Sequence, residues 1–332
     1  MRLHENKVLF KQSIAFTAQQ MKILPIYVEK DYWVTYVLRL IFQDAIGAEA
    51  IFKGGTALSK CFGLIERFSE DIDLVVLKGD EESSNQLKNK LKKITNVVGA
   101  KLTEIDEQGI TNKVGMIRKI AYQYPKTFTG KFGQIRDNII VEATWLGRYE
   151  PFQSSTISSY VYEMMETAGQ YQLAEEYGLL PFEAQVLHVN RTICEKIMSL
   201  VRFSHGANPI EDLRNKIRHT YDLHQLLKVP AILAFFESPE FEAMLLLVGQ
   251  DDVDSFKNNN QWLVFHPKEA ILFREPEATW KDLENGYTNE FGNLVYGDLP
   301  SSNEILETIQ KISERLQVVK WNIEIPEKGE TK

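Results

Sequence analysis

Long apolar runs are missing from this 332-residue chain. No stretch approaches the ~20 consecutive apolar residues of a membrane span. The opening residues, MRLHENKVLFKQSIAFTAQQ, lack the continuous apolar core of a signal peptide. The expected location is therefore cytoplasmic, away from any membrane. Cysteine is scarce: Cys61 and Cys194 lie far apart, which excludes a disulfide framework or a Cys-based zinc site. Both read as small buried hydrophobes. His205, His219 and His224 show no metal-ligand arrangement. Internal repeats and low-complexity linkers are also absent. A surplus of basic charge is missing too, and the net charge of −8 argues against a uniformly basic nucleic-acid binder.

What is present is an ordinary globular composition, 44% hydrophobic and 25% charged, with an uneven charge distribution. From Lys88 to Arg136, eleven Lys and Arg face three acids, a local +8 that leaves −16 for the rest. Tyr122, Tyr124, Phe128 and Phe132 are interleaved with these basic residues. One reading is a solvated helix followed by an ordinary β-hairpin. The other is a surface that attracts RNA phosphates.

Periodicity divides the chain. LPIYVEKDYWVTYVLRLIFQ has helical spacing. AIFKGG is a short strand ending at glycines, TALSKCFGL a helix of about two turns, and DIDLVVL a strand. SSNQLKNKLKKITNVVG is an amphipathic helix. GMIRKIAYQYP and NIIVEATWL are strands joined by the turn-rich KTFTGKFGQ. Residues 1–155 are thus expected to form a mixed α/β domain with a small sheet. Residues 156–332 are expected to be mainly helical, including FEAQVLHVNRTICEKIMSLVRF and IEDLRNKIRHTYDLHQLLK. ANP and KVPA mark breaks, and the tail EIPEKGETK is expected to fray.

The stretch IFKGGTALSKCFGLIERFSEDIDLVVL carries the chemistry. Strand alternation puts Asp71 and Asp73 on one face, with Ile72 and Leu74 on the other. Two carboxylates ~7 Å apart along one face repel, and burying either is costly. A magnesium ion removes the conflict, because it prefers oxygen ligands and bridges carboxylates to phosphates. Gly54 and Gly55 let backbone amides approach a ligand where a Cβ would obstruct. Thr56 is expected to cap the following helix, whose exposed amides suit a polyphosphate. Strand, Gly-Gly, helix and a strand bearing Asp-x-Asp assemble a phosphate cradle beside a metal clamp.

These residues carry a resemblance. FKGGTALSK followed by RFSEDIDL resembles the signature of the AbiEii/AbiGii toxin group of nucleotidyltransferases, which includes the MenT-like toxins, within the DNA polymerase beta-like superfamily. EKDYWV near the N-terminus also resembles that group, as does TICEKIMSLVRFS paired with RHTYDLHQLL. The resemblance spans roughly residues 28–227. It implies a polymerase beta-like α/β core with a helical C-terminal domain. It also implies transfer of a nucleotidyl group from an NTP, with Mg²⁺ (or Mn²⁺) as cofactor and pyrophosphate as leaving group.

Further residues take roles from this resemblance. Glu142, an acid in the apolar strand NIIVEATWL, is the candidate third metal ligand. Its alternative is an ion pair with an arginine. On its helix Lys196 lies between the apolar stripe of Ile193, Ile197, Leu200 and Val201 and the group of Arg191, Glu195 and Arg202. It can snorkel outward or reach a triphosphate, and the resemblance makes it catalytic. Asp222 lies one turn from Arg218, which an i,i+4 ion pair explains. The resemblance gives it a role in positioning the lysine or the acceptor. Ser69 matches a nucleotide-binding position, although a turn hydroxyl explains it equally. The resemblance further implies a toxin of a toxin–antitoxin or phage-defence system, a cognate antitoxin, and tRNA as acceptor, served by the basic 88–136 segment. A protein or small-molecule acceptor stays open, as does a non-catalytic NTP- or antitoxin-binding protein.

Overall fold

A computed structural model of the chain describes residues 1–69, 71–130, 136–256 and 259–325. Phe132 and the last seven residues of the acidic tail lie outside these described residues. Two compact units emerge, one formed by residues 1–145 with 152–187 and the other by 146–151 with 188–332.

The first unit is a seven-stranded mixed sheet with helices. Its elements are α1 (Lys7–Met21), α2 (Pro25–Phe42), β1 (Ala50–Lys53), α3 (Gly54–Lys60), β2 (Ile72–Val76), α4 (Ser84–Gly99) and β3 (Thr103–Ile105). They continue with β4 (Ile117–Gln123), β5 (Ile139–Thr144), β6 (Phe152–Ile157), α5 (Tyr160–Thr167), α6 (Tyr171–Glu176) and β7 (Phe182–Leu187). The strand order is β3-β4-β5-β2-β1-β7-β6. β1 pairs antiparallel with β2, and β2 runs parallel to β5. Alternation in β2 sends Ile72, Leu74 and Val76 into the core that they share with Val34, Val37, Leu38 and Ile41 of α2 and Leu91, Ile94 and Val98 of α4. The opposite face of the sheet is thereby left to Asp73 and its register partners. Pro25 supplies the fixed φ that starts α2. Ser83 and Gln86 close a capping box at the start of α4.

The expected boundary near residue 155 is corrected to 187/188, because β6 and β7 return to the sheet of the first unit. The segment FEAQVLHVNRTICEKIMSLVRF was expected to be one helix. Its first six residues are instead strand β7, with Phe182, Ala184 and Val186 turned inward against exposed Glu183. Parallel pairing with β1, at Phe52 opposite Val186, holds it there. A partner so distant in sequence leaves no local mark.

The second unit is helical: α7 (Val189–Ser204), α8 (Pro209–Arg214), α9 (Arg218–Leu227), α10 (Pro230–Glu237), α11 (Pro239–Ser255), α12 (Ile271–Arg274), α13 (Pro276–Asn285) and α14 (Ser302–Gln317). Proline occupies the first position of α8, α10, α11 and α13. The breaks expected at ANP and KVPA thus fall at helix starts. IEDLRNKIRHTYDLHQLLK forms two helices, α8 and α9, where one was expected. α7 packs against α8, α9, α10, α11 and α12. Among the described residues no helix is long and apolar enough to cross a membrane.

Candidate functional site

β1 stops at Lys53 because Gly54 turns the chain with φ +82°, and α3 begins there. A Cβ on Gly54 would lie 2.4 Å from Asp73 Oδ2, so only glycine leaves that carboxylate its place. A Cβ on Gly55 would meet Arg67 Nη2 at 2.6 Å and Ser69 Oγ at 3.0 Å. Thr56 is buried in the first turn of α3. Its hydroxyl donates to the Asp71 carbonyl oxygen at 2.6 Å and lies 3.0 Å from Ser69 Oγ. This corrects the capping expectation. Lys53 occupies the N-cap position without a side-chain cap bond, and Thr56 ties α3 to the entrance of β2. Ser69 joins that same tie.

Register sets the electrostatics. Asp73 faces Lys53 on β1 and Glu142 on β5, and Glu142 faces Lys119 on β4. Directly paired residues share a sheet face, so Lys53, Asp73, Glu142 and Lys119 form one row across four strands. Glu142 Oε2 accepts from Lys119 Nζ at 2.7 Å. Its ion-pair partner is thus a lysine, not the arginine considered from sequence. Burial is the main reason that Asp73 is pushed up to about 7, and the charges of Asp71 and Glu142 push the same way. Lys53 and Lys119 oppose the rise without cancelling it.

Asp71 precedes β2 and is half-buried. Arg136 Nη1 donates to both of its oxygens, at 3.2 and 3.1 Å. Among the described residues, no group of three or more His, Cys, Asp or Glu side chains could hold a metal ion. The donors that fit magnesium are the hard oxygens of Asp71 and Asp73. The unbalanced negative charge that raises Asp73 is what a cation would relieve. The missing Cβ of Gly54 keeps the Asp73 oxygen clear of the chain.

Three successive charges in α2 fasten this region from behind. Glu29, Lys30 and Asp31 are all buried. Glu29 accepts from the backbone N–H groups of Thr127 and Phe128 at 2.6 and 2.9 Å. Lys30 Nζ donates to the carbonyl oxygen of Arg136. Asp31 pairs with Lys60, the last residue of α3, at 2.5 Å, and accepts from the Tyr160 N–H at 2.9 Å. Burial pushes the Asp31 carboxyl up, and Lys60 holds it partly in check. α2 thereby anchors the end of α3 and the backbone that carries Arg136.

In the second unit, Lys196 on α7 and Asp222 on α9 are both buried, and Nζ donates to Oδ2 at 2.6 Å. Lys196 therefore does not snorkel outward. His219, one turn before Asp222, is held well below its usual range by burial and then by the Lys196 charge. Arg191, expected on the polar face of α7, is buried instead and pairs with Asp251 and Glu195. Asp251 also binds Arg148 at 3.3 Å, which fixes the 146–151 segment on this unit.

The basic segment is less available than its composition suggests. Lys90 pairs with Glu49 and Glu82, Lys113 with Glu104, Lys119 with Glu142, Lys126 with Asp137 and Arg136 with Asp71. Tyr122 and Tyr124 are buried, so neither offers a ring for stacking on a base. Exposed lysines remain on α4, at Lys88, Lys92 and Lys93, and at Lys101 just after it.

Arg136, Lys119, Lys53 and Arg67 are the site neighbours that sequence reasoning missed. One signal was available for the buried supports: EKD is a run of three charges inside an otherwise apolar helix, where each must find a partner.

Comparison with known proteins bears on the fold and the family. No curated protein matches the chain significantly by sequence. A solved structure of MenT4, a nucleotidyltransferase toxin from Mycobacterium tuberculosis H37Rv, is similar in fold with TM-score 0.59 at 16% identity. That match covers 92% of this chain and 90% of that one. Residues 37–312 match the family model described as "Nucleotidyl transferase AbiEii toxin, Type IV TA system". The chain belongs to the AbiEii nucleotidyltransferase toxin family.

Proposed function

We propose that this toxin transfers a nucleoside monophosphate from an NTP to an acceptor hydroxyl, with tRNA as the acceptor and magnesium as the cofactor. The observation that carries the reading is the approach of Gly54 to Asp73, with Asp71 at the entrance of the same strand. Asp71 and Asp73 would hold magnesium, with Glu142 beside them as a further carboxylate. When bound, such an ion would supply Lewis-acid charge for the triphosphate and the acceptor oxygen. The chain's own residues do the rest. Gly54 and Gly55 admit the phosphates to the backbone, and Thr56 and Ser69 hold α3 against the strand that bears the acids. Lys196 is taken as a catalytic lysine, and Asp222, which accepts from its ammonium, as the residue that positions it. Catalysis of this type rests on positioning and charge stabilisation.

Lys88, Lys92, Lys93 and Lys101 support the RNA acceptor, since an exposed run of lysines without intervening acids attracts a phosphate backbone. Under this reading the protein acts with a cognate antitoxin, in growth control or phage defence. The test is incubation of purified protein with each α-labelled NTP, Mg²⁺ and total RNA. Label in tRNA is expected, lost in Asp71→Ala and reduced at higher salt in Lys88→Glu/Lys92→Glu/Lys93→Glu. Label confined to protein or to a small molecule would overturn the tRNA acceptor. Mg²⁺-dependent NTP binding without turnover would favour a non-catalytic binding role.

A further inference from the structure

Asp71 accepts two hydrogen bonds from one guanidinium nitrogen of Arg136. Both side chains are partly open to solvent, Arg136 at 39% and Asp71 at 25%. The pair is therefore not sealed, and an exposed ion pair of this kind is worth at most ~1 kcal/mol. Its position is nonetheless controlled. Lys30, wholly buried in α2, donates to the carbonyl oxygen of Arg136 itself. The backbone is pinned while the guanidinium end stays accessible. Such an arrangement suits a side chain that exchanges partners within a short radius.

We propose that Arg136 is the resident counter-ion of Asp71, displaced when metal and nucleotide enter, and that its guanidinium then binds the nucleotide's phosphates. The inference rests on the reading of Asp71 and Asp73 as the nucleotide site. Its physical content is a competition followed by a transfer. A guanidinium that reaches both carboxylate oxygens competes with a divalent cation for them, by charge repulsion and by occupying lone pairs, so Arg136 opposes metal binding in the nucleotide-free protein. A triphosphate brings new anionic oxygens within reach of the freed fork, which favours charge-assisted, bidentate contacts. Arg136 therefore couples metal and nucleotide: it disfavours the metal alone and favours the two together.

The coupling predicts effects of opposite sign from one substitution. In Arg136→Gln, Mn²⁺ alone should bind about threefold more tightly, measured by the loss of free-ion EPR signal on titration, since an exposed counter-ion pair is lost. The α,β-methylene analogues of ATP, GTP, CTP and UTP, tested in turn at saturating Mn²⁺, should bind at least about tenfold more weakly for whichever the wild type prefers, because a charge-assisted contact is lost. Arg136→Lys keeps the charge and should leave Mn²⁺ affinity near wild type while still weakening the analogue. Arg136 is partly exposed, and an unchanged melting temperature in both variants shows that the fold is kept. Unchanged Mn²⁺ affinity in Arg136→Gln, or a change of the same sign for Mn²⁺ and analogue, overturns the proposal. Asp71→Asn separates the two levels. If it retains both Mn²⁺ and analogue binding, the nucleotide-site reading itself fails. If it loses both while Arg136→Gln behaves as wild type, only the counter-ion role fails.

Discussion

Asp73 and Glu142 are register partners on the parallel strands β2 and β5, two acids side by side between Lys53 and Lys119. Glu142 has the Lys119 ammonium at 2.7 Å, whereas Asp73 keeps a carboxyl pushed up to about 7 by burial and by its acidic neighbours. The fold thus carries a local cost at the residue proposed to hold the metal. In Asp73→Asn, measured in EDTA at neutral pH, the melting temperature should rise by about 2 °C, allowing for screening at a half-buried site. Nucleotide transfer should fall at least about a hundredfold. A fall in both quantities would mean that Asp73 is a structural acid.

Gly54 and Gly55 differ in what they tolerate. Gly54→Ala meets two penalties, a left-handed φ of +82° and a Cβ 2.4 Å from Asp73 Oδ2. It should cost about 1–2 kcal/mol of stability. By displacing the Asp73 carboxylate it should also cost about a hundredfold in transfer rate. Gly55→Ala lacks the φ penalty and presses on the side chains of Arg67 and Ser69. Urea denaturation with a transfer assay on the two variants checks the order: Gly54→Ala should be the slower enzyme. Equal activity in both would remove the special role of the Gly54–Asp73 approach.

Lys196 and Asp222 make a buried ion pair, so stability and activity respond differently to its removal. Asp222→Asn leaves an ammonium buried without its carboxylate and should cost about 3–5 kcal/mol. Replacing both members, Lys196→Met with Asp222→Leu, should recover most of that loss, since hydrophobic replacement of a buried pair is often neutral. Transfer activity should stay abolished in the double variant. A double-mutant cycle by urea denaturation, run beside the transfer assay, reads both. Recovery of activity together with stability would reduce the pair to a packing role.

The local part of this site was legible in the sequence, and the non-local part was not. Gly54-Gly55 followed by Asp71-x-Asp73 is a contiguous pattern, and the strand alternation that buries Ile72 and Leu74 follows from it. The lysine and aspartate on α7 and α9 were likewise named from helix geometry and a family resemblance, and they meet at 2.6 Å. Arg136, by contrast, reaches Asp71 across 65 positions and follows a turn-rich segment that has no periodicity to project. Composition misled where pairing decides. The basic 88–136 segment counts as +8, yet Lys90, Lys113, Lys119 and Lys126 are neutralised by acids, four of which (Glu49, Glu82, Asp137 and Glu142) lie outside the segment and escape its tally. Strand β7 was missed for a similar reason. Its identity is set by pairing with β1, some 130 residues earlier.

His219 gives the second unit a pH dependence. It lies on α9 beside Lys196 and Asp222, with Lys216 and Arg218 also acting on it. Its Nδ1 is buried without a hydrogen-bond partner among the described residues. Burial, then the Lys196 charge, hold its pKa well below 6.5 in the folded protein, while Asp222 opposes the shift. The unfolded chain therefore binds a proton at this ring near pH 6.5 that the folded chain refuses. Its contribution to stability is complete above that value and is lost as pH falls below it. His4, His188, His205 and His224 are lowered as well, so the wild-type acid slope is shared. In His219→Leu the share owed to this residue disappears. The difference in unfolding free energy between variant and wild type should move in the variant's favour from pH 7.5 to pH 5, measured by urea denaturation at fixed ionic strength. A difference that stays constant across that range would mean that the ring titrates in the folded protein as it does in the unfolded chain, with Asp222 offsetting burial and Lys196.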